Sequence, residues 1–305
     1  MDLNFSIGGW ADVAVNYILD HFTPALDMIA ATIGFLTDGI QDTLIAVPPL
    51  AGTAILTLLA LWRVGWKFAV FTALALALVI HMNLWIGTME SLSLVLASTI
   101  VAMIVGIPLG IAMARSDTVA SIIRPVLDLM QTMPAFVYLI PAAMFFGLGA
   151  VPGTIATVIF AMPPVVRLTN LGIRQVDAEF VEAGLAFGCT SRQLLFKVQL
   201  PNAMPSIMAG VNQTIMLSLS MVVIASMIGA GGLGNTVLTG IQRLDVGKGF
   251  EGGLAVVILA VILDRITQSF GKGDSGGVMG FFKRLVAMKK ASDEPSASPF
   301  RKQEA

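Results

Sequence analysis

DAEFVEAGLAFGCTSRQLLFKVQLP, from Asp177 to Pro201, is a polar island between two long apolar runs. Asp177 is placed to cap a first helix, whose Phe180, Ala183, Gly184 and Phe187 recur at i, i+3, i+4 and i+7 as one apolar face. Gly188 tolerates positive φ and stops that helix. Thr190 and Gln193 read as a capping box that opens a second helix, which Pro201 is expected to end. The island is therefore a short helix, a glycine elbow and another short helix. By shape alone, a solvated loop or a DNA-binding helix-turn-helix would also fit, so the surroundings have to decide.

The chain has 305 residues, 56% of them hydrophobic and 12% charged, with a net charge of −1. Mean hydropathy is +0.86. Soluble domains carry roughly 25% charged residues, so this composition belongs to an all-α polytopic membrane protein. Apolar runs near the spanning length of roughly 17 to 25 residues fall at about 44–62, 67–87, 91–114, 129–149, 152–168, 205–229 and 251–268. Pro108, Pro134, Pro141, Pro163 and Pro164 interrupt them. Such breaks are tolerated where the freed backbone faces protein or a water-filled path.

Lys and Arg fix the expected orientation. Arg63, Lys67, Arg115, Arg124, Arg167, Arg174, Arg192, Lys197, Arg265 and the Lys/Arg-rich tail fall on one side, and only Arg243 and Lys248 on the other. About seven spans with the N-terminus outside and the C-terminus cytoplasmic satisfy every loop, and place the island in the cytoplasm. Residues 1–43 carry six aspartates and no Lys or Arg, and form an extracytoplasmic acidic segment with a possible interfacial helix. Residues 44–87 supply two accessory helices, and 88–268 the main membrane domain with the loop 177–201. Residues 269–305 read as a basic, disordered cytoplasmic tail. The acidic start lacks a positive n-region, so no cleaved signal peptide is expected.

The chemistry-bearing residues exclude several functions. Cys189 is the single cysteine, His21 and His81 lie far apart, and neither HExxH nor GxxxxGK[ST] occurs. No metal site, bound cofactor or nucleotide site is expected on this chain. Gly229 to Gly234 fit GxGxxG, but the glycines follow an apolar helix rather than a strand, so they read as the end of a span and a tight outer turn. Asp264 and Arg265 near the end of the last span read as an accommodated neighbouring pair, not a proton relay. Asp177, Glu179 and Glu182 are solvated acids of one helix rather than a catalytic pair. A transporter with neither relay nor nucleotide site must take its energy from a partner.

Glu182-Ala183-Gly184, three residues, Gly188, nine residues, then Val198-Gln199-Leu200-Pro201 resembles the cytoplasmic signature of ABC-importer permeases. In that signature Ala stands at the position of Gly184 and Ile at that of Val198. Longer stretches, LDLMQTMPAFVYLIPAAMFFGLGAVPGTIATVIF (127–160), MPPVVRLTNLGIRQV (162–176) and NQTIMLSLSMVVIASMIGAGGLG (212–234), resemble the permease subunit of glycine betaine/proline betaine ABC importers. The first 88 residues match only loosely.

The resemblance implies a type I ABC importer transmembrane domain in the cell inner membrane. It implies a homodimer of this chain, two ATP-binding subunits that hold ATP and Mg, and an extracytoplasmic substrate-binding protein; the chain itself is then no enzyme and no nucleic-acid binder. Glu182, Ala183, Gly184, Gly188, Leu200 and Pro201 would form the contact with the ATPase. A methylated cation is attracted by aromatic faces, which makes Phe136, Tyr138, Phe145, Phe146 and Phe160 the candidates for the substrate path. Choline uptake in the same family is the alternative reading, and an osmotically gated channel or membrane scaffold is the reading from another class.

Overall fold

The computed structural model describes residues 7–271, all helices and connecting turns. In chain order the helices are α1 (Ile7–Ala46), α2 (Pro49–Arg63), α3 (Trp66–His81), α4 (Trp85–Arg115), α5 (Asp117–Thr132), α6 (Ala135–Phe146), α7 (Ala150–Ala161) and α8 (Pro163–Arg174). There follow α9 (Ala178–Ala186), α10 (Ser191–Gln193), a π-helical turn (Leu194–Gln199), α11 (Leu200–Ser226), α12 (Gly232–Arg243) and α13 (Val246–Gly271).

Among the described residues, four segments are long and apolar enough to cross a bilayer: Trp85–Arg115, Ala150–Arg174, Ser191–Ser226 and Val246–Phe270. Two bent pairs meet that criterion only jointly, Val15–Ala46 with Pro49–Arg63 at 103° and Asp117–Thr132 with Ala135–Phe146 at 100°, and Trp66–His81 is a shorter apolar helix. The expected run 129–149 is thus broken at Met133–Pro134. Proline lacks the N–H that would continue the ladder and holds its predecessor extended, and Met133 has ψ 135°. Pro163 and Pro164, by contrast, fall in the first turn of α8, where a proline N–H is not needed.

Lipid supplies no hydrophobic drive between helices, so close packing must hold the bundle. Small residues supply it. Gly106 and Gly110, one turn apart on α4, lie against Val165, Val166 and Thr169 of α8; Gly210 of α11 lies on the backbone of Val165. Gly172 of α8 lies against Ser206 and Ala203 of α11. Helix α8 is thereby clamped between α4 and α11. Around this clamp a continuous apolar core includes Leu76, Val95, Met113, Val222, Leu259 and Ile262.

The second half of α1 packs along α4 and α7: Thr37 is buried, its carbonyl accepts a bond of 3.0 Å from Ser93 Oγ, and Gly34 faces Val151. Arg63, ending α2, donates to the carbonyl of Ser269 at 3.1 Å and lies 4.1 Å from the Phe270 ring, which ties α2 to the C-terminal end of α13.

The glycine run 229–234 forms a turn between α11 and α12. Gly231 and Gly232 have φ of +77° and +74°, and a Cβ on Gly232 would lie 2.5 Å from Ser91 Oγ. The first amides of α12 are taken by α4: Gly232 N–H donates to Glu90 Oε2 at 2.7 Å and Leu233 N–H to Ser91 Oγ at 2.8 Å. A carboxylate at a helix N-terminus satisfies orphan donors and meets the positive end of the dipole. We expect Glu90→Ala to cost about 1–3 kcal/mol through the unpaired amide and the lost charge, lowering the midpoint of thermal unfolding in detergent by several degrees; an unchanged midpoint would remove Glu90 from this role.

Candidate coupling hairpin and the polar groove beside it

Residues 177–201 build a hairpin whose turn geometry follows from its residue types. Asp177 occupies the cap position of α9, but its side chain makes no capping bond. The amide it would take, that of Phe180, is already bonded to Asp177's own carbonyl at 3.1 Å. At the other end, Gly188 has φ +75°, Cys189 N–H donates to Gly184 O at 3.0 Å and Gly188 N–H to Leu185 O at 2.9 Å. This paired pattern is the Schellman stop, which needs a residue content at positive φ. The capping box is present: Gln193 N–H donates to Thr190 Oγ1 at 3.3 Å and Thr190 N–H to Gln193 Oε1 at 2.9 Å.

Pro201 does not end the second arm. Helical backbone runs without a break from Ser191 to Ser226, a 36-residue segment. The π turn resets the ladder just ahead of the proline: Leu200 N–H reaches back to Leu195 O, five residues away, and Pro201 then stands in the first turn of α11, where its missing N–H costs least. Asn202 Nδ2 donates to Val198 O at 2.8 Å across the same turn.

The hairpin's inner side is anchored. Gly184 is buried, and a Cβ there would meet Leu194 Cδ1 at 2.8 Å. Leu195 is packed with Ile173, Ala203 and Ile207, and half-buried Leu200 adds to that cluster. Arg174, at the end of α8, donates to Met113 O at 2.7 Å and Asn170 Oδ1 at 3.0 Å, and pairs with Asp117 at 2.7 Å. Asp117 is largely in water, so the ion pair itself adds little and the bond to the carbonyl carries the contact. The outer side is bare. Glu182 and Ala183 are exposed, no described residue pairs with Glu182, and Phe180, Leu185 and Phe187 show 52%, 55% and 90% of their surface. The apolar spacing seen in the sequence therefore does not face the protein's own core: only Gly184 does.

The aromatic candidates do not converge. Tyr138 is buried, its hydroxyl donating to Met130 O at 2.5 Å and Leu129 O at 3.2 Å, so it bridges the α5–α6 break. It shares a small apolar cluster with Phe160, Ala156 and Met221. Phe136 is exposed, while Phe145 and Phe146 pair edge to face at 6.3 Å.

Asp264 and Arg265 do not pair in the structure. Successive helical residues diverge by about 100°. Arg265 points outward, whereas Asp264 Oδ1 accepts from Asn212 Nδ2 at 3.0 Å and Gln268 Nε2 at 2.7 Å. Thr267 Oγ1 donates to Asn212 Oδ1 at 2.8 Å and completes a polar join between α11 and α13. Sequence reasoning passed over Asn212 and Gln213, although two adjacent amides inside an apolar span are a visible signal. Among the described residues, no three His, Cys, Asp or Glu side chains gather as a metal site.

Residues 106–273 match the family model described as "Binding-protein-dependent transport system inner membrane component". The chain is 48% identical over 267 residues to the glycine betaine/proline betaine transport system permease protein ProW of Escherichia coli (strain K12), covering 87% of this chain and 75% of that protein. It is 51% identical over 270 residues to the glycine betaine/carnitine transport permease protein GbuB of Listeria monocytogenes, covering 87% and 95%. Among solved structures, an inward-facing MetNI methionine ABC transporter chain superposes with a TM-score of 0.54 at 19% identity, over 60% of this chain and 92% of that one, a likeness of fold. The expected importer-type membrane fold is thus the observed one, and the chain belongs to the family of binding-protein-dependent transport system inner membrane components, among the permease subunits of ABC importers.

Proposed function

We propose that this chain is the membrane subunit through which a separate ATPase drives uptake of glycine betaine-type osmolytes. The observation that carries the coupling role is the hairpin 177–201: packed on its inner side, bare outside, and continuous with a helix crossing the bundle. Ser191–Ser226 is 36 residues, about 54 Å by the helical rise. A push on the hairpin at Glu182, Ala183 and Phe187 is passed by the Gly184–Leu194 contact into α10, through the π turn, and along α11. Gly188 fixes the elbow, and Leu200 and Pro201 form the joint. Two arrangements of α11 against α8 and α13 would then be biased by the partner's nucleotide state, as in any two-state bundle.

Substrate choice rests on relatives that share about half their residues with this chain over most of its length and carry glycine betaine in their names. Two copies of the chain, two ATP-binding subunits with ATP and Mg, and an extracytoplasmic binding protein complete the machine. The topology we favour has seven spans in the cell inner membrane, with residues 1–43 outside, 44–87 accessory, and 88–268 the transport domain. Of residues 269–305, expected as a disordered basic cytoplasmic tail, 269–271 instead complete α13, and 272–305 lie outside the described residues.

Uptake of labelled glycine betaine, with unlabelled choline as competitor, tests this reading. The cells would lack their own osmolyte importers and express this chain with its ATPase and binding protein. Betaine uptake that resists choline is expected. Choline uptake in its place would move the substrate assignment to choline, and flux without the ATPase would replace the importer by a channel.

A further inference from the structure

Resting on that reading, we propose that the groove between α11 and α13 is a binding subsite for a small zwitterion carrying a carboxylate and a quaternary ammonium group. A cavity of about 310 Å³ opens there, lined by Pro205, Met208, Ala209, Asn212, Gln213 and Gln268. That volume is at the low end of small-molecule sites, suited to an osmolyte rather than a larger nutrient.

The face of α11 that carries the groove is not built for lipid. Its exposed positions, Pro205, Ala209, Gln213, Met216 and Ser220, follow helical spacing. The exposed side chains of α3 from Val70 to Leu78 are all apolar, as a lipid face requires. Gln213 has no hydrogen-bond partner among the described residues, and its amide in hydrocarbon would be unsatisfied. The groove therefore faces water, a ligand or the second copy of the chain, not lipid. It lies in the half of the bundle that bears the coupling hairpin, because Pro205 to Gln213 follow the start of α11 and Gln268 lies near the end of α13.

The polar atoms point to a zwitterion. Gln213 offers both N–H bonds of its amide. Gln268 spends one on Asp264 and keeps the other. These donors suit a carboxylate. Asn212 is used at both ends, donating to Asp264 and accepting from Thr267, so it is a fixed wall. Behind that wall stands the Asp264 carboxylate, with Arg265 turned away. Its charge favours a cationic group in the groove and opposes a simple anion such as phosphate. Pro205, Met208 and Ala209 supply the apolar surface against which N-methyl groups rest. No lining residue is aromatic, so the site lacks the cation–π cage of a capture protein; weak holding suits a step that must release its cargo. Choline has the ammonium but no carboxylate for the two glutamines.

The test uses the assembled transporter in lipid nanodiscs, with Cys189→Ser as background and Ala209→Cys as a reporter in the groove. Met208→Cys serves as a second reporter should the first impair assembly. Glycine betaine is expected to slow N-ethylmaleimide labelling saturably, to about tenfold at a concentration about tenfold above its Kd, and equimolar choline to slow it far less. Adding Gln213→Leu should abolish that protection. Unchanged labelling with betaine overturns the site, as does protection that survives Gln213→Leu. A disulfide between the reporters of two copies, with no maleimide access, would assign the groove to the second copy instead. Wild-type betaine uptake measured in parallel separates the two failures: uptake without protection rejects only this site, whereas absent uptake rejects the transport reading.

Discussion

Glu182→Lys is expected to abolish betaine uptake, by about a hundredfold or more, while the protein still reaches the membrane in normal amount. Glu182 is exposed on α9 and no described residue pairs with it, so it contributes little to the fold. Surface substitutions of that kind usually change stability by within about 0.5 kcal/mol. At an interface the same change is severe, because reversing a charge that meets a complementary one costs about 2–5 kcal/mol. The neighbouring surface, with Phe180, Leu185 and Phe187 bare, is what a docking face presents before its partner arrives. The experiment compares uptake, membrane abundance and co-purification of the ATPase for the wild type and the variant. Loss of uptake and of ATPase binding at equal abundance is expected. Uptake within about twofold of wild type would take Glu182 out of the coupling contact.

A second large effect is expected in the core. Gly110→Val should lower the amount of folded protein severalfold. A Cβ at Gly110 would lie 2.6 Å from Thr169 Cβ and 2.7 Å from Val166 O. The second of these is backbone and cannot turn aside, so α4 and α8 would have to part. Overpacking of this kind costs about 1–3 kcal/mol or more, and here it acts on the helix clamped between α4 and α11. Gly39→Ala is the matched control: nothing lies within 4 Å of a Cβ there, and a helical Gly→Ala change gains up to about 1 kcal/mol. Size-exclusion profiles and thermal midpoints in detergent distinguish the two. A Gly110→Val protein as abundant and stable as Gly39→Ala would show that the glycine contact does not hold the bundle.

Local chemistry was readable where one residue type has one use. Gly188 at positive φ, and Thr190 with Gln193 as a capping box, are present as the sequence implies. The glycines from 229 to 234 form the expected turn after α11. Pro201 misled because a proline stops a helix or opens one, and only the π turn ahead of it decides which. Asp177 misled because backbone already occupied the amide that its side chain was to take. The single run 129–149 concealed the bend at Met133–Pro134, since hydropathy reports apolar length and not direction. Asp264 and Asn212 lie 52 residues apart in sequence, so neither the join nor the groove beside it is visible along the chain. The aromatic candidates share a residue type and a place in the proline-broken spans, but packing distributes them among separate environments.

If flux through this chain is driven rather than gated, betaine must accumulate against its gradient at the expense of ATP. Proteoliposomes would hold the chain and its partner ATPase, with ATP enclosed and betaine-loaded binding protein outside. Accumulation of betaine above its external concentration, which stops when ATP is omitted and when Glu182→Lys replaces the wild type, is the predicted result. Betaine that only equilibrates across the membrane, at the same rate with or without ATP and under an osmotic gradient alone, would contradict it.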